Sequence, residues 1–122
     1  MPSYLLRVSA GFEAAHHLTS YLGAPEAVHG HSWRVEVGLA TEVLDAEGMA
    51  YDFVALRSVL LALVGRLDHK DLNAVPPFDR LSPTTERIAA WFHHEIQLAL
   101  PGAPLLEVTV WEGPYCSATY RP

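Results

Sequence analysis

Both ends of this chain alternate apolar and polar residues with a period of two, and its middle does not. In residues 4–16, Leu6, Val8, Ala10 and Phe12 alternate with Arg7, Ser9 and Glu13, the pattern of a strand with one buried and one solvated face. Residues 30–41 repeat it with Trp33, Val35, Val37 and Leu39 on one side and Arg34, Glu36 and Gly38 on the other. Residues 105–111 and 115–121, β-branched or aromatic and joined at Glu112-Gly113-Pro114, read as two further strands. Between these, Phe53, Leu56, Leu60, Leu63, Val64 and Leu67 recur at helical spacing behind Asp52, an N-cap residue, so a helix is predicted over residues 53–67. A second is predicted over residues 82–100. It opens at Ser82-Pro83-Thr84-Thr85-Glu86 with the proline in its first turn, continues through Ile88, Ala89, Phe92, Ile96 and Ala99, and stops at Pro101-Gly102. Residues 18–28, with Gly23 and Pro25, and residues 68–81, with Pro76-Pro77, are loops, and residues 43–49 form a turn. The order ββααββ places the chain in the α+β class, an antiparallel sheet with two helices on one face. With no repeat or linker, residues 1–122 are expected to form a single domain.

Composition narrows the function. Half of the 122 residues are apolar, enough to bury roughly two thirds of the unfolded surface in one core. Only 18% are charged, against about 25% in a typical soluble domain, and this thin polar cover points to an oligomer. The net charge is −6 and the few Lys and Arg form no patch, so nucleic acid is excluded as an expected partner. The start of the chain lacks the basic and apolar regions of a signal peptide, and no apolar stretch is long enough to span a membrane. The lone cysteine, Cys116, has no partner for an internal disulfide and reads as a packed strand residue. That usage fits a reducing compartment, and the expected location is the cytoplasm.

Seven histidines are many for so short a chain. His29 and His31, two apart at the entry to a strand, face the same side, with Gly30 between them. An isolated pair of this kind is more often a set of hydrogen-bonded surface residues than a metal clamp. Here His16 ends the preceding strand, and antiparallel pairing brings it opposite the pair. Three neutral imidazoles with an open fourth position suit a catalytic zinc. His17 points to the other face. Asp68-His69 is a carboxylate–imidazole pair of the kind that fixes a tautomer, although adjacency in sequence alone is weak support. Glu112, at a strand end, offers two acceptors to an amidine-like edge of a ligand, or is simply an exposed turn residue. Helix capping alone accounts for Thr84, Thr85 and Glu86.

Six segments in order then resemble the 6-pyruvoyltetrahydropterin synthase and 6-carboxytetrahydropterin synthase family: Phe12-Glu13-Ala14-Ala15-His16, His29-Gly30-His31-Ser32, Tyr51-Asp52-Phe53, Leu67-Asp68-His69-Lys70-Asp71-Leu72-Asn73, Ser82-Pro83-Thr84-Thr85-Glu86 and Val110-Trp111-Glu112. The resemblance implies a tunnelling fold, in which subunits close an oligomeric β-barrel as trimers that stack into a homohexamer with active sites at subunit junctions. It implies zinc on His16, His29 and His31, a catalytic Asp68–His69 pair, Glu112 as the anchor of a small-molecule pterin, and Thr84, Thr85 and Glu86 near its ring. The cysteine that well-known branches carry shortly before the H-G-H is missing, and Glu26 stands three residues before His29. This E-x-x-H-G-H is similar to a third branch in which glutamate replaces the cysteine. From it the expected activity is a zinc-dependent lyase cleaving the side chain of 7,8-dihydroneopterin triphosphate to 6-hydroxymethyl-7,8-dihydropterin for folate biosynthesis, with Glu26 as base. The alternatives are 6-carboxytetrahydropterin synthase for queuosine biosynthesis, 6-pyruvoyltetrahydropterin synthase, and a non-catalytic zinc- and pterin-binding protein.

Overall fold

The computed structural model describes residues 3–122; Met1 and Pro2, where the segment read above for a signal peptide begins, lie outside the described residues. Strand β1 (Tyr4–His16) and strand β2 (His29–Thr41) pair antiparallel along their whole length, from Tyr4 opposite Thr41 to His16 opposite His29. Because residues directly opposite share a face, Phe12 meets Trp33 and Ala14 meets His31 on the buried side, while Glu13 and Ser32 face outward. Helix α1 (Phe53–Gly65) is capped by the Asp52 carboxylate, which accepts the Val54 N–H at 2.8 Å. It ends two residues before the predicted Leu67, in turns whose N–H groups bond back to Val64.

Residues 68–81 are not simply a loop. They contain β3 (Lys70–Asp71), parallel to β1, and a 3₁₀ turn (Leu72–Ala74). The ββααββ antiparallel expectation is thus corrected to a mixed five-stranded sheet in the order β3-β1-β2-β4-β5. A two-residue strand carries no readable periodicity. Helix α2 (Thr85–Ala99) starts after Pro83 rather than with it, since the Thr84 hydroxyl is the cap and accepts the Arg87 N–H. Strands β4 (Leu105–Glu112) and β5 (Cys116–Tyr120) complete the sheet. Cys116 is exposed on this edge strand, which corrects the expectation that it is packed.

One side of the sheet carries the core. Trp33, Val35, Val37, Val108 and Val110 meet Leu56, Leu60, Ile88, Phe92 and Ile96, all buried. Each such aliphatic or aromatic side chain contributes about 1.5–3 kcal/mol relative to exposure. His93 is also drawn into this layer, 6% exposed and edge-on to Tyr120. Burial, with His94 beside it, pushes its pKa below the usual histidine value. The opposite face is solvated and polar, with Arg7 on Glu36, Arg121 on Glu107 and Arg34 over the Trp111 ring. No helix among the described residues is long and apolar enough to cross a membrane.

Candidate metal and pterin site

The paired ends of β1 and β2 project three imidazoles to the core side of the sheet, at the rim where the core opens. The ring centroids of His16, His29 and His31 lie 4.6 to 5.7 Å apart. Glu112, at the end of β4, joins them, and the four side chains offer ligand atoms within 4.8 Å of one another. Its Oε1 lies 2.9 Å from His16 Nε2, 2.9 Å from His31 Nε2 and 3.7 Å from His29 Nε2. The Thr85 hydroxyl donates to Oε2 at 3.2 Å. Sequence reasoning placed Glu112 toward a ligand and missed its contact with the histidines, because nothing in the sequence shows which residue of β4 lies beside the end of β2.

The ring orientations fit a metal ion. His16 Nδ1 donates to the Pro83 carbonyl and His29 Nδ1 to the Ala27 carbonyl, each at 2.9 Å, which leaves Nε2 of both rings directed at the cluster. Such outer hydrogen bonds fix the tautomer and raise the basicity of a metal-binding imidazole. His16 is 2% exposed, between a carbonyl oxygen and a carboxylate. With Nδ1 donating to the carbonyl, Nε2 turns its lone pair toward the carboxylate, an arrangement that a cation held between the two would satisfy. Burial pushes the Glu112 pKa up. The hydrogen bond from His16, the nearby His16 and His31, and the Thr85 hydroxyl together outweigh this and hold it below the usual carboxylate range.

A cavity of about 310 Å³ opens beside the cluster, lined by His16, Leu18, Tyr21, Glu26, Thr84, Thr85, Glu86 and Glu112. Glu26 reaches it from the loop before β2. Its Oε1 accepts the Leu18 N–H at 3.0 Å and lies 3.7 Å from His29 Nδ1. Thr84 serves as the helix cap and Thr85 holds Glu112.

Asp68 and His69 stand outside the four-residue cluster, at the edge of β1. Their side chains are 3.0 Å apart, but His69 is 78% exposed and neither belongs to the histidine cluster. His69 adopts a left-handed backbone (φ 59°), and its N–H meets the Glu13 carbonyl at the edge of β1. The Asp68 pKa is held down chiefly by the Glu13 N–H, against some desolvation and with help from His69. His69 and His31 both line a second cavity of about 520 Å³.

Residues 5–122 match the family model described as 6-pyruvoyl tetrahydropterin synthase. The chain is 40% identical over 103 residues, 80% of this chain and 78% of the relative, to 6-carboxy-5,6,7,8-tetrahydropterin synthase of Synechocystis sp.. It is 36% identical over 105 residues, 85% of each chain, to dihydroneopterin monophosphate aldolase of Pyrococcus furiosus. The structure of Caenorhabditis elegans 6-pyruvoyl tetrahydropterin synthase superposes with a TM-score of 0.85 at 25% identity, over 100% of this chain and 97% of that one. The tunnelling-type fold is therefore established. The family model, the Synechocystis relative and the C. elegans structure all carry tetrahydropterin synthase descriptions, which corrects the expected cleavage of 7,8-dihydroneopterin triphosphate to 6-hydroxymethyl-7,8-dihydropterin. That expectation rested on the missing cysteine and on Glu26 standing in its place. Exchanging a thiol for a carboxylate changes the base and does not by itself dictate the product.

Proposed function

Because the chain belongs to the 6-pyruvoyl tetrahydropterin synthase family, and is an enzyme with a metal-binding cluster and a pterin-type substrate, we propose that it is a zinc-dependent tetrahydropterin synthase converting 7,8-dihydroneopterin triphosphate to 6-carboxy-5,6,7,8-tetrahydropterin. The observation that carries this reading is the single cavity in which Glu26 and Glu112 stand beside the buried His16. The 40% identity to the Synechocystis synthase favours the 6-carboxy product; the likeness to the C. elegans structure supports 6-pyruvoyltetrahydropterin as the second reading.

In this proposal His16, His29 and His31 hold zinc, for which three imidazoles are a fitting donor set. When bound there, such an ion would supply Lewis-acid polarisation of the substrate's side-chain hydroxyls. Glu112 takes the two-donor edge of the pterin, with Thr85 orienting its carboxylate, and Thr84 and Glu86 border the ring. Glu26 removes a side-chain proton. His69, held by Asp68, moves a second proton from an exposed sheet edge, which suits a site completed between subunits. The outer edge of β1 pairs with β3 only at Ala14 and Ala15, and β5 is the opposite edge of the sheet. Closing β1 of one subunit on β5 of the next builds the barrel of a homohexamer, a dimer of trimers. Light scattering at micromolar concentration is expected to give that mass, and a monomer would contradict the assembly. A cytoplasmic protein supplying queuosine biosynthesis completes the reading.

The deciding experiment incubates the zinc-loaded protein with 7,8-dihydroneopterin triphosphate and identifies the product by mass spectrometry. The 6-carboxy product keeps one side-chain carbon, the other two leaving as acetaldehyde and the phosphates as triphosphate with uptake of one water, whereas the 6-pyruvoyl product keeps all three carbons and loses only triphosphate. A 6-hydroxymethyl product, or no turnover, sinks the synthase reading.

A further inference from the structure

Strand β1 ends at His16, and what holds that end in place is not β3. The β1–β3 ladder stops at Ala15 opposite Asp71, after which the chain turns into the 3₁₀ segment Leu72–Ala74. Two positions further, just past the end of β1, a side chain takes over. The His17 N–H donates to Asn73 Oδ1 at 2.9 Å, and Asn73 Nδ2 donates to the His17 carbonyl at 3.0 Å. One primary amide thus presents the donor and acceptor that a neighbouring strand residue would offer. Asn73 is itself fixed, since its backbone N–H is bound by the Asp71 carboxylate at 3.0 Å. Four residues upstream the same segment grips β1 again: Asp68 Oδ1 accepts the Glu13 N–H at 2.9 Å, and the His69 N–H donates to the Glu13 carbonyl at 2.6 Å.

The grips at positions 13 and 17 bracket His16, whose ring must hold Nε2 at the cluster and Nδ1 on Pro83 together. We propose that Asn73 is a positioning residue for the metal centre: its carboxamide clamps the His17 backbone and so sets the place and direction of the His16 imidazole. The proposal rests on His16, His29 and His31 being a metal site. Capping of the 3₁₀ turn explains the Asn73 backbone, but it gives no reason for a side chain that bonds both backbone polar groups of His17, 56 positions away.

The test compares Asn73→Ala and Asn73→Asp with the parent in a zinc competition against a chromogenic chelator, and follows exchange of the His17 amide hydrogen. Asn73→Ala is expected to lose roughly 10-fold in zinc affinity, the lower end of the effect of removing a ligand's own outer partner, since Asn73 acts through the backbone beside His16, and to lose protection at His17. Asn73→Asp keeps the acceptor for the His17 N–H and should fall between. Asp45→Ala, which loosens a remote turn where Asp45 accepts the Glu47 and Met49 N–H groups, controls for general destabilisation and should bind zinc like the parent. Zinc affinity in Asn73→Ala within twofold of the parent overturns the proposal, as does an equal loss in Asp45→Ala at an equal fall in Tm. If Asn73→Ala does not fold, Asn73→Asp decides by the same two readouts. A parent that binds no zinc overturns the metal reading and this proposal together; a parent that binds while Asn73 proves dispensable overturns this proposal alone.

Discussion

Replacing Glu26 by glutamine is expected to lower turnover by roughly 10²–10⁴-fold, the usual share of a positioned general base, with zinc content unchanged. The Glu26 carboxylate carries two oxygens. One accepts the Leu18 N–H and so helps fold the loop before β2. The carboxylate as a whole is what can take a proton. Glu26→Gln keeps an acceptor for Leu18 and cannot serve as a base, so it separates the two roles. Glu26→Ala removes both and should add a loss of about 0.5–1.5 kcal/mol in stability from the missing hydrogen bond. The effect belongs in kcat, with KM little changed, because Glu26 holds no part of the pterin ring in the proposed site. Glu26→Cys restores the thiol of the well-known branches at this place and should recover part of the activity. If Glu26→Gln turns over at the parental rate, the proton goes elsewhere, and His69 held by Asp68 becomes the base to test.

Glu112→Gln is expected to weaken pterin binding by about 1.5–3 kcal/mol, the range for a hydrogen bond to a charged group. A carboxylate accepts the paired donors of the pterin edge from both oxygens, whereas the amide turns a donor toward one of them. His16, His31 and Thr85 keep the Glu112 pKa below its ordinary value, so the acceptor is ionised at neutral pH. The residue also touches two proposed metal ligands at 2.9 Å. Affinity is therefore best read by calorimetry with a pterin that lacks the phosphorylated side chain, at saturating zinc. Unchanged affinity removes Glu112 from the anchor role.

The long strands and both helices were legible because each repeats a pattern over many residues. Leu6, Val8, Ala10 and Phe12 report a strand four times, and β1 begins and ends where the alternation does. Lys70–Asp71 reports nothing of the kind, since its pairing with Ala14 and Ala15 is a matter of where the chain passes. The convergence of the histidines was also legible. His29 and His31 share a face by parity, and a loop between two pairing strands can only return His16 beside them. Long-range placements were not. Pro83 was read as part of a helix, and its carbonyl instead holds the His16 ring. The sequence does not show that Asp68 and His69 grip the Glu13 backbone at the edge of β1, where His69 and His31 line one cavity. The role of Asn73 is not legible, because an amide looks the same in sequence whether it caps a turn or clamps a distant stretch of backbone.

The His16 ring ties residues far apart along the chain: its partner Pro83 is 67 positions away and Glu112 is 96. Contacts of such separation close large loops, whose entropy must be overcome before the contact yields anything, so they form late. A chain that has paired β1 with β2 but not yet docked α2 and β4 holds three histidines without the carbonyl that orients one or the carboxylate that joins them. A complete site therefore requires α2 and β4 to be docked against the β1–β2 pair. The site should open together with the core rather than fray by itself, which gives its buried hydrogen bonds the exchange protection of global unfolding.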